Sequence, residues 1–205
     1  MINRIYALAT ANPGKVKEMR EILSGLGIEV LTRENLGINV EIEETGTTFI
    51  ENATLKATAI CEISEMPSIA DDSGLIVEAL DGKPGVYSSS FGGEELTAEA
   101  RCIYLLKQME KIKNIEQRRA KFVSTIVCAF RDGNTLSASG ECSGIITKSL
   151  IGSGGFGYDP VFKPDGYNKT MAELSVDEKN KISHRGKALR EFSKLLQSYT
   201  AGTTV

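Results

Sequence analysis

Along the chain, apolar residues recur with a period of two in some stretches and of three to four in others, and the switches between them mark out the expected elements. Ile5-Tyr6-Ala7-Leu8-Ala9 is a short apolar run, and it stops at Thr10-Ala11-Asn12-Pro13-Gly14-Lys15, where Asn12 can cap a helix and Pro13 suits its first turn. Val16, Met19, Ile22, Leu23 and Leu26 then share one helical face, Gly25 and Gly27 supply the stop, and residues 28–31 read as a returning strand. Thr48-Phe49-Ile50-Glu51 has the form of a capping box, followed by Phe49, Ala53, Ala57 and Ile60 at helical spacing to about residue 64. The run Pro67-Ser68-Ile69-Ala70 is expected to end as a strand tip at Asp71-Asp72. A Ser73-Gly74 turn and a second run, Leu75-Ile76-Val77, are expected after it.

Further on, the spacing predicts a third helix over 97–113, capped by Thr97, with Ile103, Leu106, Met109 and Lys113 on a narrow stripe that suits a surface position. Residues 121–130, the turn Asp132-Gly133-Asn134 and residues 135–147 read as a long antiparallel hairpin. From Glu178 or Ser183 onward, Ala188, Leu189, Phe192, Leu195, Leu196 and Tyr199 predict an amphipathic helix. Early alternation of strands and helices with a late hairpin implies an α/β fold around a mixed sheet.

The 205 residues, 41% hydrophobic and 25% charged, without a repeat or low-complexity stretch, suit one domain with room for a small lobe. A net charge of −3 argues against nucleic-acid or membrane-surface partners. The absence of a long apolar stretch or a signal-peptide pattern after Met1-Ile2-Asn3-Arg4 leads us to expect a cytoplasmic protein. Cys61, Cys102, Cys128 and Cys142 are widely spaced and accompanied by one histidine, so they read as buried, reduced, small hydrophobes.

Asp71 and Asp72 raise the first question of chemistry, because adjacent carboxylates call for a held proton, a cationic side chain or a divalent metal. Thr10-x-Asn12-x-Gly14-Lys15 between strand and helix offers amides, a hydroxyl and an ammonium to an anion such as phosphate, although a merely capped helix has the same pattern. Gly152-Ser153-Gly154-Gly155-Phe156-Gly157 satisfies G-x-G-x-x-G. Tyr158-Asp159-Pro160 follows it, however, so no helix opens there and a dinucleotide site is excluded. That loop could instead present Phe156 and Tyr158 to a flat ligand, with Asp159 at a polar edge, or pack its aromatics in the core. Lys179, Ser183, His184 and Arg185 suit a base edge or a phosphate. Glu43 in the acidic segment 41–46, together with Asp72, has the oxygen chemistry of a Mg²⁺ site completed by substrate phosphates, and Lys56 could point the same way.

Seven motifs carry a resemblance: Thr10-Ala11-Asn12-Pro13-Gly14-Lys15, Glu43-Glu44-Thr45-Gly46, Phe49-Ile50-Glu51-Asn52-Ala53, Ala70-Asp71-Asp72-Ser73-Gly74-Leu75, Pro84-Gly85-Val86-Tyr87-Ser88, Gly154-Gly155-Phe156-Gly157-Tyr158-Asp159-Pro160 and Ser183-His184-Arg185-Gly186. In this order they resemble the inosine triphosphate pyrophosphatase family, the noncanonical purine nucleotide pyrophosphatases. The resemblance implies a homodimer of two-lobed α/β subunits, with a long curved mixed sheet and a central cleft. It also implies Mg²⁺-dependent hydrolysis of ITP, dITP and XTP to monophosphate and pyrophosphate. Carried over, it assigns Thr10, Ala11, Asn12, Pro13, Gly14, Lys15 and Lys56 to the triphosphate, Glu43 and Asp72 to the metal, and Asp72 to proton acceptance. Ser73, Phe156, Gly157, Tyr158, Asp159, Lys179, His184 and Arg185 would surround the nucleotide, mostly at the base. Two other readings stay open: a Maf-like pyrophosphatase preferring pyrimidine or modified nucleotides, and a nucleotide-binding module without catalysis.

Overall fold

A computed structural model describes residues 5–202 of the chain, so the first four residues lie outside it. The strands are β1 (Ile5–Leu8), β2 (Glu29–Thr32), β3 (Ser68–Val77), β4 (Arg119–Ala129), β5 (Thr135–Ile146) and β6 (Phe162–Pro164). The helices are α1 (Pro13–Gly25), α2 (Phe49–Ser64), α3 (Ala98–Gln108), α4 (Val176–Ile182) and α5 (His184–Gly202). The strands form one sheet in the order β2-β1-β3-β4-β5-β6. β1 pairs parallel with β2 and β3, while β5 pairs antiparallel with β6, so the expected mixed α/β sheet is present. Among the described residues no helix is long and apolar enough to cross a membrane. All four cysteines are buried and outside any disulfide.

The chain divides into two compact units, one of residues up to 72, 124–140 and from 185 onward, the other of residues 73–123 and 141–184. In the first unit the period of two along β1 sorts side chains to opposite faces of the sheet. Tyr6 and Leu8 pack with Met19 and Leu23 of α1 and with Leu189 and Phe192 of α5, whereas Ala7 and Ala9 meet Ala53, Ala57 and Ile60 of α2. Asn12 caps α1 by accepting from Lys15 N, and Thr48 and Glu51 close the capping box of α2, both as expected.

Two expectations change. β3 is one strand of ten residues running straight through Asp71, Asp72, Ser73 and Gly74. A Ser-Gly pair interrupts a strand when turning is easier than pairing; here β1 pairs with β3 only at Ser68 and Ile69, but β4 neighbours the strand on its other side and its backbone stays extended. The other concerns α4, which was not expected: Ser175 and Glu178 form its capping box, and Ser183 adopts an extended backbone before α5, so the C-terminal helix begins at the later of its two expected starts.

In the second unit α3 ends at Gln108, earlier than expected, and buries Cys102 and Leu105 while Ile103 is exposed. Arg118, only 3% exposed, ties down the chain that follows the helix. Its guanidinium donates to Met109 O (2.9 Å) and Ile112 O (3.1 Å) beyond the helix and to Ile146 O (2.8 Å) and Thr147 O (2.7 Å) at the end of β5. Charged donors thus satisfy carbonyls a helix terminus leaves over. Arg118→Met keeps the aliphatic stem but strands these carbonyls, and urea unfolding is expected to show a loss of about 3 kcal/mol.

Candidate active site

β3 turns the puzzle of the paired carboxylates into simple geometry, since successive residues of a strand face opposite ways. Asp71 shares the parity of Ile69 and lies on the side of α1 and α5. Asp72 shares that of Ala70 and lies on the side of α2. Each therefore meets its own cations. Asp71, 1% exposed, has Lys15 Nζ at 2.8 Å and Arg185 NH2 at 3.2 Å from its Oδ2, and accepts the Ser124 hydroxyl on Oδ1. Arg185, itself 1% exposed, also ion-pairs through NH1 with Glu18 of α1. Burial works to raise the Asp71 carboxyl, but Arg185 and Lys15 overcome it and hold the group well below the usual carboxylate range.

Asp72 accepts from Lys56 Nζ at 2.7 Å, and Lys56 lies 3.3 Å from Glu44 Oε1. The second oxygen, Asp72 Oδ2, is buried and has no partner among the described residues. Burial pushes this carboxyl up to about 6 against the pull of Lys56 and Lys15, and nearby Glu44 adds to the rise. Burial also works against the Lys56 ammonium, yet Asp72 keeps its pKa above the ordinary value. The 43–46 segment is fixed from α2: Asn52, 3% exposed, accepts from Gly46 N at 2.8 Å, and a Cβ on Gly46 would meet that same oxygen at 2.6 Å.

Beside this pair lies the start of α1. Thr10 Oγ1 accepts from Asn12 N at 3.2 Å and Asn12 Oδ1 from Lys15 N at 3.1 Å, while Ala11, Asn12 and Pro13 are exposed. The Lys15 ammonium also reaches Asp71 O at 3.4 Å. An anion could therefore meet a helix N-terminus with a lysine already turned toward β3.

In the second unit Lys179 Nζ and Asp159 Oδ2 are 2.5 Å apart and both side chains are buried. The same Oδ2 accepts from Phe156 N at 2.7 Å, and Lys179 sits 4.8 Å from the centre of the Phe156 ring. The glycines allow this approach: Gly155 has φ +71°, and a Cβ there would fall 2.1 Å from the Asp159 carboxylate. A single 3₁₀ turn, Asp159–Val161, follows the loop, and no α-helix opens there, as expected from Pro160. His184 stacks on Phe122 with ring centres 4.7 Å apart.

The structure thus gathers Thr10, Asn12, Lys15, Lys56 and Asp72 in one unit and Phe156, Gly157, Tyr158, Asp159, Lys179 and His184 in the other. Arg185 belongs with Asp71 and Glu18. Tyr158 points into the core rather than outward, with 5% exposure. Glu43 is exposed, and its neighbour Glu44 is the glutamate paired with Lys56. Glu18, Glu44, Asn52 and Ser124 had no role assigned from the sequence, although Glu44 and Asn52 stand within two of the motifs quoted above; Glu18 and Ser124 carried no local signal, because their partners Arg185 and Asp71 lie far along the chain.

These features define an α/β protein with a phosphate-type helix terminus set against a buried, cation-paired carboxylate. The Ham1 family model matches residues 6–195, and the chain belongs to that family. Among curated relatives, a dITP/XTP pyrophosphatase of Aquifex aeolicus is 52% identical over 197 residues, covering 93% of this chain and 96% of that one. One of Thermus thermophilus is 46% identical, covering 95% and 91%. The solved Ham1 protein of Coxiella burnetii superposes with a TM-score of 0.84 at 37% identity, covering 95% of this chain and 98% of that chain.

Proposed function

We propose that this chain hydrolyses noncanonical purine nucleoside triphosphates, ITP, dITP and XTP, to the monophosphate and pyrophosphate, clearing them from the cytoplasmic pool as a Mg²⁺-dependent homodimer. The observation that carries the reading is Asp72: a buried carboxylate held by Lys56 on one oxygen, with the other oxygen unpartnered. A buried oxygen of this kind suits a hard cation, and carboxylate donors are those Mg²⁺ prefers. Among the described residues no cluster of three or more His, Cys, Asp or Glu could hold a metal. That fits an ion bound by one or two carboxylates and by the phosphates of its substrate.

In this reading Glu43 and Asp72 hold Mg²⁺, with Glu44 adding charge beside them. Bound there, the ion would offset negative charge on the phosphate oxygens. Asp72 orients a water and takes its proton as the oxygen attacks the α-phosphorus in line. Thr10, Ala11, Asn12, Pro13, Gly14, Lys15 and Lys56 bind the triphosphate, and Lys15 with the first amides of α1 stabilises the departing pyrophosphate. Ser73, Phe156, Gly157, Asp159, Lys179 and His184 serve the nucleoside, Phe156 offering a ring face beside Lys179, while Tyr158 of the same loop is turned into the core. Arg185, committed to Asp71 and Glu18, acts through Asp71 on Lys15.

Hypoxanthine and xanthine carry an oxygen at position 6 and an N–H at position 1, the reverse of adenine. A site with Asp159 as acceptor and Lys179 or His184 as donor would leave polar groups unpaired against ATP. The test is pyrophosphate release from a panel of ITP, XTP, dTTP, UTP and ATP with Mg²⁺. Preference for ITP and XTP is expected, preference for dTTP or UTP would favour the Maf-like reading, and tight ITP binding without turnover would favour a non-catalytic module.

Chelation by EDTA is expected to abolish turnover. At limiting Mg²⁺, kcat/KM is expected to fall as pH drops below about 6, because Asp72 must lose its proton to work. Raising Mg²⁺ moves that limb to lower pH, since cation and proton compete for one carboxylate.

A further inference from the structure

Tyr158 lies in the loop that carries Phe156 and Asp159, yet its ring is buried among Leu75, Val77, Cys102, Leu105 and Phe162 of the second unit's core. Its hydroxyl donates to the backbone carbonyl of Ser88 at 2.9 Å. Ser88, 8% exposed, has its own hydroxyl engaged on both sides, accepting from Leu75 N at 2.8 Å and donating to Gly85 O at 2.6 Å. Ser88 is therefore held from two sides, by Leu75 of β3 through its hydroxyl and by the phenol of Tyr158 through its backbone carbonyl, and its own covalent frame joins the two bonds. Burial raises the Tyr158 phenol above its ordinary pKa, so it stays protonated and remains a donor. The thiol of Cys102 on α3 adds a second tie, donating to Gly157 O at 3.2 Å.

We infer that Ser88 and Tyr158 form a strut that fixes the loop of residues 154–159 to β3, making both positioning residues for substrate discrimination rather than contacts to the base. Within the loop Gly155 and Gly157 both adopt positive φ, and Gly154 N donates to Ala172 O at 3.0 Å, a tie to a segment other than β3. Asp159 accepts from Phe156 N within the loop and pairs with Lys179, but neither bond sets the loop's register against a strand. Tyr158 does, because its hydroxyl must reach one particular carbonyl. This inference rests on the proposed nucleotide pyrophosphatase activity for its kinetic consequence and on geometry alone for its structural one.

Tyr158→Phe removes one oxygen and leaves the ring's packing in place, so the fold is retained. With the full-length chain, KM for ITP is expected to rise about three- to tenfold, the scale of one hydrogen bond, while kcat changes less than twofold and the ITP-to-GTP preference narrows. Ser88→Ala cuts the link to Leu75, and the double variant is expected to resemble the worse single one, because both act through one path. Amide exchange over 154–159 should quicken in Tyr158→Phe even without substrate. Unchanged exchange there, or unchanged KM and preference in both variants, overturns the strut. A loss in kcat with KM intact also overturns it, because the tyrosine would then act on the reacting atoms. If the wild-type chain fails to hydrolyse ITP, the functional reading falls, and the exchange measurement still decides the strut.

Discussion

Asp72→Asn is expected to lower kcat/KM for ITP by about a thousandfold, roughly 4 kcal/mol of transition-state stabilisation, while circular dichroism and the thermal midpoint stay close to wild type. Asparagine has the same shape and its amide oxygen can still accept from Lys56, so the local packing survives. What it loses is the negative charge and the ability to take a proton from water. It also presents an amide where Asp72 Oδ2 offers a buried acceptor, which removes the oxygen best placed for a cation. Lower occupancy by Mg²⁺ in a direct binding titration, together with the kinetic loss, is the expected pair of results. Near-normal ITP hydrolysis by the folded variant would remove Asp72 from the chemistry.

Arg185→Leu is expected to destabilise the fold by about 3–5 kcal/mol, read from urea midpoints at constant slope. The guanidinium is shared by Asp71 and Glu18, all of them buried, and its removal leaves carboxylates without their main cation. Lys15 still reaches Asp71, which keeps the loss from being larger. The same group has a definite pH signature. The folded-state pKa of Asp71 is depressed, so its stabilisation is fully present above the ordinary carboxylate value near 4 and disappears as pH falls through the lower folded value. Wild-type stability should therefore decline on acidification below about pH 4, and Asp71→Asn should flatten that decline. An Arg185→Leu protein as stable as wild type, or an acid limb unaltered by Asp71→Asn, would show that the buried network contributes nothing net.

Much of the architecture could be read from local pattern. The β1-α1-β2 succession, the Asn12 cap, the Thr48 capping box and the hairpin turn at 132–134 each depend on residues within a few positions of one another, and each is present. That no α-helix opens directly after the glycine loop likewise needed only Pro160, which sits inside a single 3₁₀ turn. The residue reading and the family resemblance together named Lys15, Lys56, Asp72, Asp159 and Lys179, and ion pairs Lys56–Asp72 and Lys179–Asp159 join four of them.

Other features were beyond local pattern because their causes lie far away along the chain. Ser73 and Gly74 look like a turn until β4 takes its place beside the strand. The chain just beyond α3 gives its carbonyls to Arg118, and nothing in the helix foretells that. Arg185 looks like a donor for a base edge because it follows His184, but a helix turns neighbouring side chains in different directions, and this one meets Glu18 and Asp71.

The adjacent carboxylates divide the two kinds of knowledge most clearly. The sequence by itself determined that Asp71 and Asp72 need positive partners, since like charges on neighbouring residues repel and burial without compensation is costly. Only the tertiary structure decided which partners those are. An extended strand sends the two side chains to opposite faces, giving Asp71 to Lys15 and Arg185 as a buried structural charge, and leaving Asp72 beside Lys56 with one oxygen still to be used.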